Sequence, residues 1–547
     1  MRLLCPFWVN KIDALSIDSP SALTLRDLLC TNVDDQNEVW SYVLLANFLF
    51  DMEWLFSVAP SLLQTKKKLF LVSGEKGLAQ QFSSSSFSGA IDKGRIRFIE
   101  PKLPLPFGVH HTKLAICVNE NGIRVAIFTA NFIESDWSQK TQGIYVQDFP
   151  KRSNIDKVTE ESYIPLNIQD NRGNRFKNEL RRYLNSYNVF SSLSDENGIP
   201  NTLFDEFDFS NASVELISSV PGYHRGSDAY LFGMGRIESL LESLYMGTSD
   251  KSETPLLTWQ FSSQGRLTDA FLVKMESAMV SEIKNKDISE QFRPMVQVVY
   301  PTESEVRDSL EGWIGGLSLP LRLACCHPYI NKRLYRWGFS AKDMNDNKIT
   351  RKQSVPHIKS YMRLTEKKDA LKWVILTSAN LSRAAWGEWQ KKGTQLAIRS
   401  YELGVFYDSE SFIQISDELF SVTPSRPIPL PSSVEGDGLI EVRIKKKEKK
   451  GSQDEPILFL PYDPLNPEPY ASTLQLQKSE GSEDKSPLIA KDRPWVIDIP
   501  HFGKDALGKD FHEALKTNNS IDHTVDEISS LEKKAKMENK NNRSLDL

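Results

Sequence analysis

No apolar run in this 547-residue chain is long enough to cross a bilayer: the longest, Trp40 to Phe50, is stopped by Asp51 and Glu53, short of the roughly 20 residues a membrane helix needs. It reads as a buried helix. The apolar start from Met1 to Val9 is too short for a secretion signal and runs directly into Lys11 and Asp13, so secretion is not expected. Cysteine is scarce, with Cys5, Cys30, Cys117, Cys325 and Cys326 forming no CxxC pair; this argues for a reducing compartment and no structural metal. A large excess of charge is also missing. With a formal net charge of −5, any nucleic-acid surface has to be a local basic groove.

What is present is ordinary material for large cores: 40% hydrophobic and 25% charged residues, in a chain long enough for two to four domains. Thr24 is a candidate N-cap before Leu25-Arg26-Asp27-Leu28-Leu29, Lys66 to Ser73 reads as a strand, and strands and helices alternate after it. That alternation predicts an α/β sandwich. The aperiodic stretch Thr202 to Ser213 suggests a boundary, giving domains over 1–212 and 213–515 and a polar, flexible tail over 516–547. Pro424 to Pro431 and Thr473 to Asp492 read as loops. The basic run Arg443 to Lys450 reads equally as an import or phosphate-binding patch and as a solvated loop.

The informative feature is a repeat. His111-Thr112-Lys113 leads, through a strand-like stretch, to Thr129-Ala130-Asn131 and Trp137; His357-Ile358-Lys359 leads likewise to Ser378-Ala379-Asn380 and Trp386, with Trp following Asn by six residues both times. In a strand, His and Lys two apart share a face. The midpoint between His111 and Asn131 falls on Asn121 of an Asn-Gly turn signal, and the second midpoint falls within the polar stretch Glu366 to Asp369. Two hairpins would therefore return each Asn to the side of its His and Lys. One His-x-Lys alone would be accidental; two with matched Asn and Trp are not.

These residue types suit phosphoryl transfer. A neutral imidazole attacks phosphorus and an imidazolium protonates a leaving oxygen, and His reaches both states near neutral pH. Lys113 and Lys359, with Asn131 and Asn380 as neutral donors, would hold the non-bridging oxygens, one such donor being worth roughly 3 to 4 kcal/mol. This chemistry requires no metal and no cofactor.

The repeated motif resembles that of the phospholipase D superfamily, with one departure: the superfamily's Asp five residues after Lys is replaced by Val118 and Leu364. That pattern is similar to the tyrosyl-DNA phosphodiesterase branch, as are the blocks PFGVHHTK, DWSQKTQG, SLEGW, PHIKSYMR, TSANLSRAAWG, RSYELGV and KDRPW, in order from Pro106 to Trp495. The resemblance implies two pseudo-twofold-related α-β-α-β-α sandwich domains with the active site between them. It implies His111 as nucleophile, forming a phosphohistidine, and His357 as the acid for the tyrosine phenolate and then the base for water. Gln142 and Glu402 would orient the histidines. Phe107, Ser262, Ser263, Phe48 and Trp495 would contact DNA or substrate, Phe48 standing where the branch has Tyr. Core packing is the competing reading for Phe107, and a plain strand end for the serines. His110, His224, His327, His501, His512 and His523 have no repeat partner and read as structural or surface residues.

The expected partner is a DNA 3′ end, single-stranded or in nicked or blunt duplex, carrying a topoisomerase I tyrosyl peptide. A monomer is expected, with no membrane association and no regulation through a long N-terminal extension. A nuclear location is expected, the sequence leaving open a mitochondrial pool beside it. Two alternatives stand against this reading: another phospholipase D-type activity on lipid or internal DNA linkages, and a non-catalytic DNA-end-binding protein. The missing aspartates and the lack of an amphipathic membrane segment count against lipid; retention of both histidines and both lysines counts against a degenerate site.

Overall fold

A computed structural model describes residues 3–15, 19, 21–152, 171–191, 198–245, 254–281, 293–338, 350–411, 413–414, 421–428, 439–445, 456–470 and 493–516. The tail beyond Lys516, all of Thr473 to Asp492, the end of the Pro424 to Pro431 stretch, His523 and Lys446 to Lys450 lie outside these residues.

Two sheets carry the architecture. In the first, β1 (Trp8–Asn10), β2 (Ala22–Leu23), β3 (Tyr42–Asn47), β4 (Lys68–Ser73), β5 (Ile96–Ile99), β6 (Leu114–Val118), β7 (Gly122–Phe128) and β8 (Gly143–Pro150) lie in the order β2-β1-β8-β7-β6-β3-β4-β5. In the second, β9 (Glu215–Ser219), β10 (Leu256–Gln260), β11 (Met295–Val299), β12 (Leu334–Tyr335), β13 (Ser360–Leu364), β14 (Leu371–Thr377) and β15 (Glu402–Tyr407) lie in the order β9-β15-β14-β13-β10-β11-β12. Setting β2 aside, the sheets match strand for strand: antiparallel from β1 through β3 and from β9 through β10, then parallel to the far edge. The sequence repeat is thus part of a larger structural one.

Alternation along the strands sets the layers. Leu114, Ile116, Ile123 and Val125 of the first sheet and Met362, Leu364, Val374 and Leu376 of the second share one central core with Phe176 and Leu180 of the helix Arg172–Asn185. The opposite face of the first sheet packs against Leu25–Leu29 and Met52–Val58, and that of the second against Gly233–Tyr245 and Asp269–Ala278. Helix, sheet, shared core, sheet and helix make the expected α-β-α-β-α order. Thr24 does cap its helix, in a reciprocal box with Asp27. A small sheet ties Leu3–Leu4 to Ile413–Gln414 and Ile457–Leu460, so the first residues pair with late ones. Among the described residues no helix is long and apolar enough to cross a membrane.

The expectation of a helix over Trp40 to Phe50 is overturned: Tyr42–Asn47 is a central strand. Val43 and Leu45 face the outer core while Leu44 and Ala46 face the shared one. A strand buried on both faces reads as an unbroken apolar run, which periodicity cannot separate from a buried helix. The first hairpin also turns differently from the expected Asn-Gly. Asn119 closes it, accepting on Oδ1 from the Asn121 and Gly122 amides (3.0 and 3.2 Å), an Asx-type turn needing no left-handed residue.

Close approach between β14 and β15 requires Gly404, where a Cβ would lie 2.6 Å from the Leu376 carbonyl oxygen. Gly404→Ala should cost about 1 to 3 kcal/mol through overpacking. Chemical denaturation of the two proteins measures it, and an unchanged midpoint would contradict the packing described.

Candidate active site

Both His-x-Lys motifs lie just ahead of their strands, β6 and β13, and not within them as expected. Their backbones instead pair across the two halves. His111 N donates to Tyr401 O (2.9 Å) and Tyr401 N to Val109 O (2.9 Å); His357 N donates to Thr141 O (3.0 Å) and Thr141 N to Val355 O (3.0 Å). Extended geometry survives, so Thr112 still points away from the site, to the Tyr183 hydroxyl. Each hairpin then closes on its lysine, with Phe128 N donating to Lys113 O and Thr377 N to Lys359 O (3.2 and 3.1 Å).

The cross-pairing decides which residue supports which histidine. Next to Tyr401, Glu402 of the second half accepts from His111 Nδ1 at 3.0 Å. Next to Thr141, Gln142 of the first half lies with its amide 3.2 Å from His357 Nδ1. Both supports are themselves fixed: the Thr129 hydroxyl donates to Gln142 Oε1 (2.7 Å) and the Ser378 hydroxyl to Glu402 Oε2 (2.5 Å). With Nδ1 occupied, each histidine has Nε2 as its free reacting atom. Thr129 and Ser378 stand two residues before each Asn, a matched pair the repeat contains and sequence reasoning passed over.

The two asparagines, equivalent in sequence, are held in opposite senses. Asn380 Oδ1 accepts from Ser262 N (3.2 Å), Ser262 Oγ (3.1 Å) and Ser263 N (3.0 Å), which leaves its NH2 group as a donor. Asn131 donates from both its backbone N (2.7 Å) and Nδ2 (2.9 Å) to Asp136 Oδ2. Its Oδ1 is buried without a partner. Asn131 therefore presents an acceptor, which corrects the expectation of two neutral donors. Asp136 also lies 3.4 Å from His357 Nδ1 and 3.3 Å from Lys140 Nζ, which bonds Glu311 of the second half at 2.9 Å. Asp136 and Lys140 sit in the block DWSQKTQG and Glu311 in SLEGW, so the signal was in blocks already singled out.

The remaining substrate-contact candidates separate. Phe107 is 90% exposed with φ +63, which excludes core packing; a bulky side chain in that region is strained and held by its surroundings. Here the hold is Arg399, donating to Pro106 O (3.0 Å), with the Arg399 carbonyl so near Gly108 that a Cβ has no room. The Phe48 ring lies 5.8 Å from that of His111. Ser262 is buried and its hydroxyl committed to Asn380, a different task from the expected phosphate contact. Trp495 is overturned as a contact: it is 0% exposed, stacked on Trp313 and His501, with Nε1 donating to Gly316 O at 3.0 Å. The Trp in KDRPW is a core residue. His110, read as structural, is buried between Asn47 O (3.2 Å) and the Tyr187 hydroxyl (2.8 Å), and burial pulls it down to about 3.

Burial and mutual repulsion dominate the electrostatics. His111 is shifted down by burial and by Lys113, against Glu402, and His357 by burial and by Lys359 and Lys113. Burial pulls Lys113 down to about 8, and Lys359 falls through burial and Lys113. The site thus favours neutral imidazoles and under-hydrated ammonium groups, an arrangement that an anion would stabilise.

Such a fold and site define a phospholipase D-type phosphodiesterase. The profile of the family described as tyrosyl-DNA phosphodiesterase matches residues 5–471. A protein of Arabidopsis thaliana named tyrosyl-DNA phosphodiesterase 1 is 32% identical over 499 residues, 88% of this chain and 73% of that one. A Caenorhabditis elegans protein named a probable tyrosyl-DNA phosphodiesterase is 29% identical over 380 residues, 68% of this chain and 76% of that one. The crystal structure of the yeast tyrosyl-DNA phosphodiesterase shares the fold at a TM-score of 0.51 and 21% identity, over 75% of this chain and 90% of that one. The chain belongs to the tyrosyl-DNA phosphodiesterase family.

Because Lys113 must be an ammonium to hold a phosphate and titrates at about 8 when free, affinity should be full below that pH and fall above it, by up to about tenfold per unit. Calorimetric titration of His111→Ala protein with an oligonucleotide ending in a 3′-phosphodiester tests this. Equal affinity from pH 7 to 9.5 would sink the assignment of Lys113 to the phosphate.

Proposed function

We propose that the chain is a DNA-repair phosphodiesterase that hydrolyses the 3′-phosphotyrosyl bond between DNA and a topoisomerase I peptide, with His111 as nucleophile, and leaves a DNA 3′-phosphate. The observation that carries the reading is the unequal support of the two histidines. An imidazole phosphorylated on Nε2 while keeping its Nδ1 proton becomes cationic, and His111 is the histidine with a carboxylate, Glu402, at 3.0 Å. His357, beside the neutral Gln142 amide, is the better suited to pass a proton back and forth.

In the first step His111 Nε2 attacks phosphorus and the tyrosine oxygen leaves, taking its proton from His357. Lys113, Lys359 and the NH2 of Asn380 face the non-bridging oxygens, where charge builds most. As the anion enters, it offsets the two ammonium groups and raises His357 toward the imidazolium that the step needs. In the second step His357 Nε2 accepts a proton from water, the water oxygen bonds phosphorus, and the P–N bond returns its electron pair to His111. Phe107, exposed on a rigid turn, offers a base-stacking surface worth roughly 1 to 3 kcal/mol per base. Work at DNA ends suits a nuclear location, and the range of 3′ adducts accepted extends as far as the tyrosyl side of the site tolerates.

Incubation with a 3′-phosphotyrosyl oligonucleotide in EDTA should yield the 3′-phosphate. His357→Asn should slow adduct breakdown by about 100-fold or more, the usual size of acid–base assistance, and leave DNA covalently attached, whereas His111→Ala should form no adduct. Adduct formation by His111→Ala would reverse the assignment. Equal processing by wild type and His111→Ala would instead support an end-binding protein without catalysis of its own.

A further inference from the structure

Asn131 is the one member of the duplicated set whose geometry contradicts its assigned chemistry. It is 6% exposed, and its amide cannot turn over without loss. Asp136 Oδ2 receives both the Asn131 backbone N–H (2.7 Å) and Nδ2 (2.9 Å), while Asp136 Oδ1 faces the Lys140 ammonium at 3.3 Å. A carboxylate so placed only accepts, so the Asn131 NH2 must face it. Oδ1 then points away from Asp136, buried and without a hydrogen-bond partner. Leaving a buried carbonyl unsatisfied is costly enough that such an atom calls for an explanation.

Phosphate oxygens do not supply it, since they too are acceptors. Water can. Asp136 Oδ2 lies 3.4 Å from His357 Nδ1, so one carboxylate fixes both the histidine that activates water and the asparagine beside it. We propose that Asn131 Oδ1 is the acceptor that holds the water attacking the phosphohistidine, and that Asp136 is the positioning residue that turns Asn131 to do so. This rests on the two-step reading of the site. One water hydrogen bonds Asn131 Oδ1 and stays on oxygen; the other passes to His357 Nε2 as the P–O bond forms and the P–N bond to His111 breaks. Product is the DNA 3′-phosphate, with that first hydrogen still bonded as P–OH or released to solvent. Asn380, whose Oδ1 is filled by Ser262 and Ser263, cannot replace it, so the duplicated asparagines divide the labour: Asn380 for phosphate, Asn131 for water.

Methanol separates this role from general damage. It carries one transferable hydrogen, which His357 takes, and has none to spare for Asn131. In mixed water and methanol the intermediate partitions between a 3′-phosphate and a 3′-methyl phosphate, and the ratio is read only on molecules that have already reacted. Asn131→Ala should raise methanolysis over hydrolysis by about tenfold, the worth of one ordinary hydrogen bond, and should slow the second step more than the first. Asn131→Ser, too short to reach, should do the same. An unchanged ratio in both variants, or a first step slowed as much as the second, would overturn the proposal, as would failure of both variants to form the adduct. Absence of any adduct or methyl product from the wild-type protein would instead overturn the phosphohistidine reading on which this rests.

Discussion

Everything at the centre of this molecule depends on an exchange: each half supplies a histidine and each half supplies the side chain that aims the other's histidine. Tyr401 and Thr141 are the hinge points, because their backbone bonds to Val109, His111, Val355 and His357 set Glu402 and Gln142 opposite the foreign imidazoles. Neither half holds a finished site. The Lys140 to Glu311 contact at 2.9 Å and the common core between the sheets fix the distance over which the exchange works. Bringing reacting groups together this way replaces an entropic cost during catalysis with one already met in folding.

The exchange crowds groups that carry or can take up positive charge into one place away from water. Lys113, Lys359 and His357 are buried and His111 is partly buried around them, with Glu402 and Asp136 as the carboxylates that act on them. Removal of these groups from water is unfavourable, and the downward shifts of all four express it. That cost is sustained because both sheets are packed on both faces, so it is spread over a large, rigid structure. It also gives selectivity, since a ligand gains most when it brings the anionic group that the cations lack.

What could be read from the sequence follows the physics of the signal. The repeat was legible because His, Lys and Asn at fixed spacing are rare together, and hairpin closure follows from strand geometry that any apolar run obeys. The α-β-α-β-α layering was legible through alternation and resemblance. Tyr42–Asn47 was misread because burial on both faces erases the period of two. Trp495 was misread because the block KDRPW marks the resemblance without reporting burial, and it is Trp313, far away in sequence, that closes over it together with the nearby His501. The exchange of Glu402 and Gln142 could not be read at all, since no spacing within one half reports a contact formed with the other.

Duplication by itself would make a symmetric site, and a symmetric site is a poor one for a two-step reaction. In the mechanism we propose, one histidine becomes a cationic phosphorylated group and the other shuttles a proton, tasks that ask for different neighbours. The difference here comes from a few residues outside the repeated set: a carboxylate in Glu402 against an amide in Gln142, and Asp136 against Ser262 and Ser263 as the holders of the two asparagines. Each alters what its neighbour presents to the phosphate without altering the neighbour's identity. The catalytic motif can therefore stay the same in both halves while its chemistry divides, and specialisation requires change only where the repeat meets its surroundings.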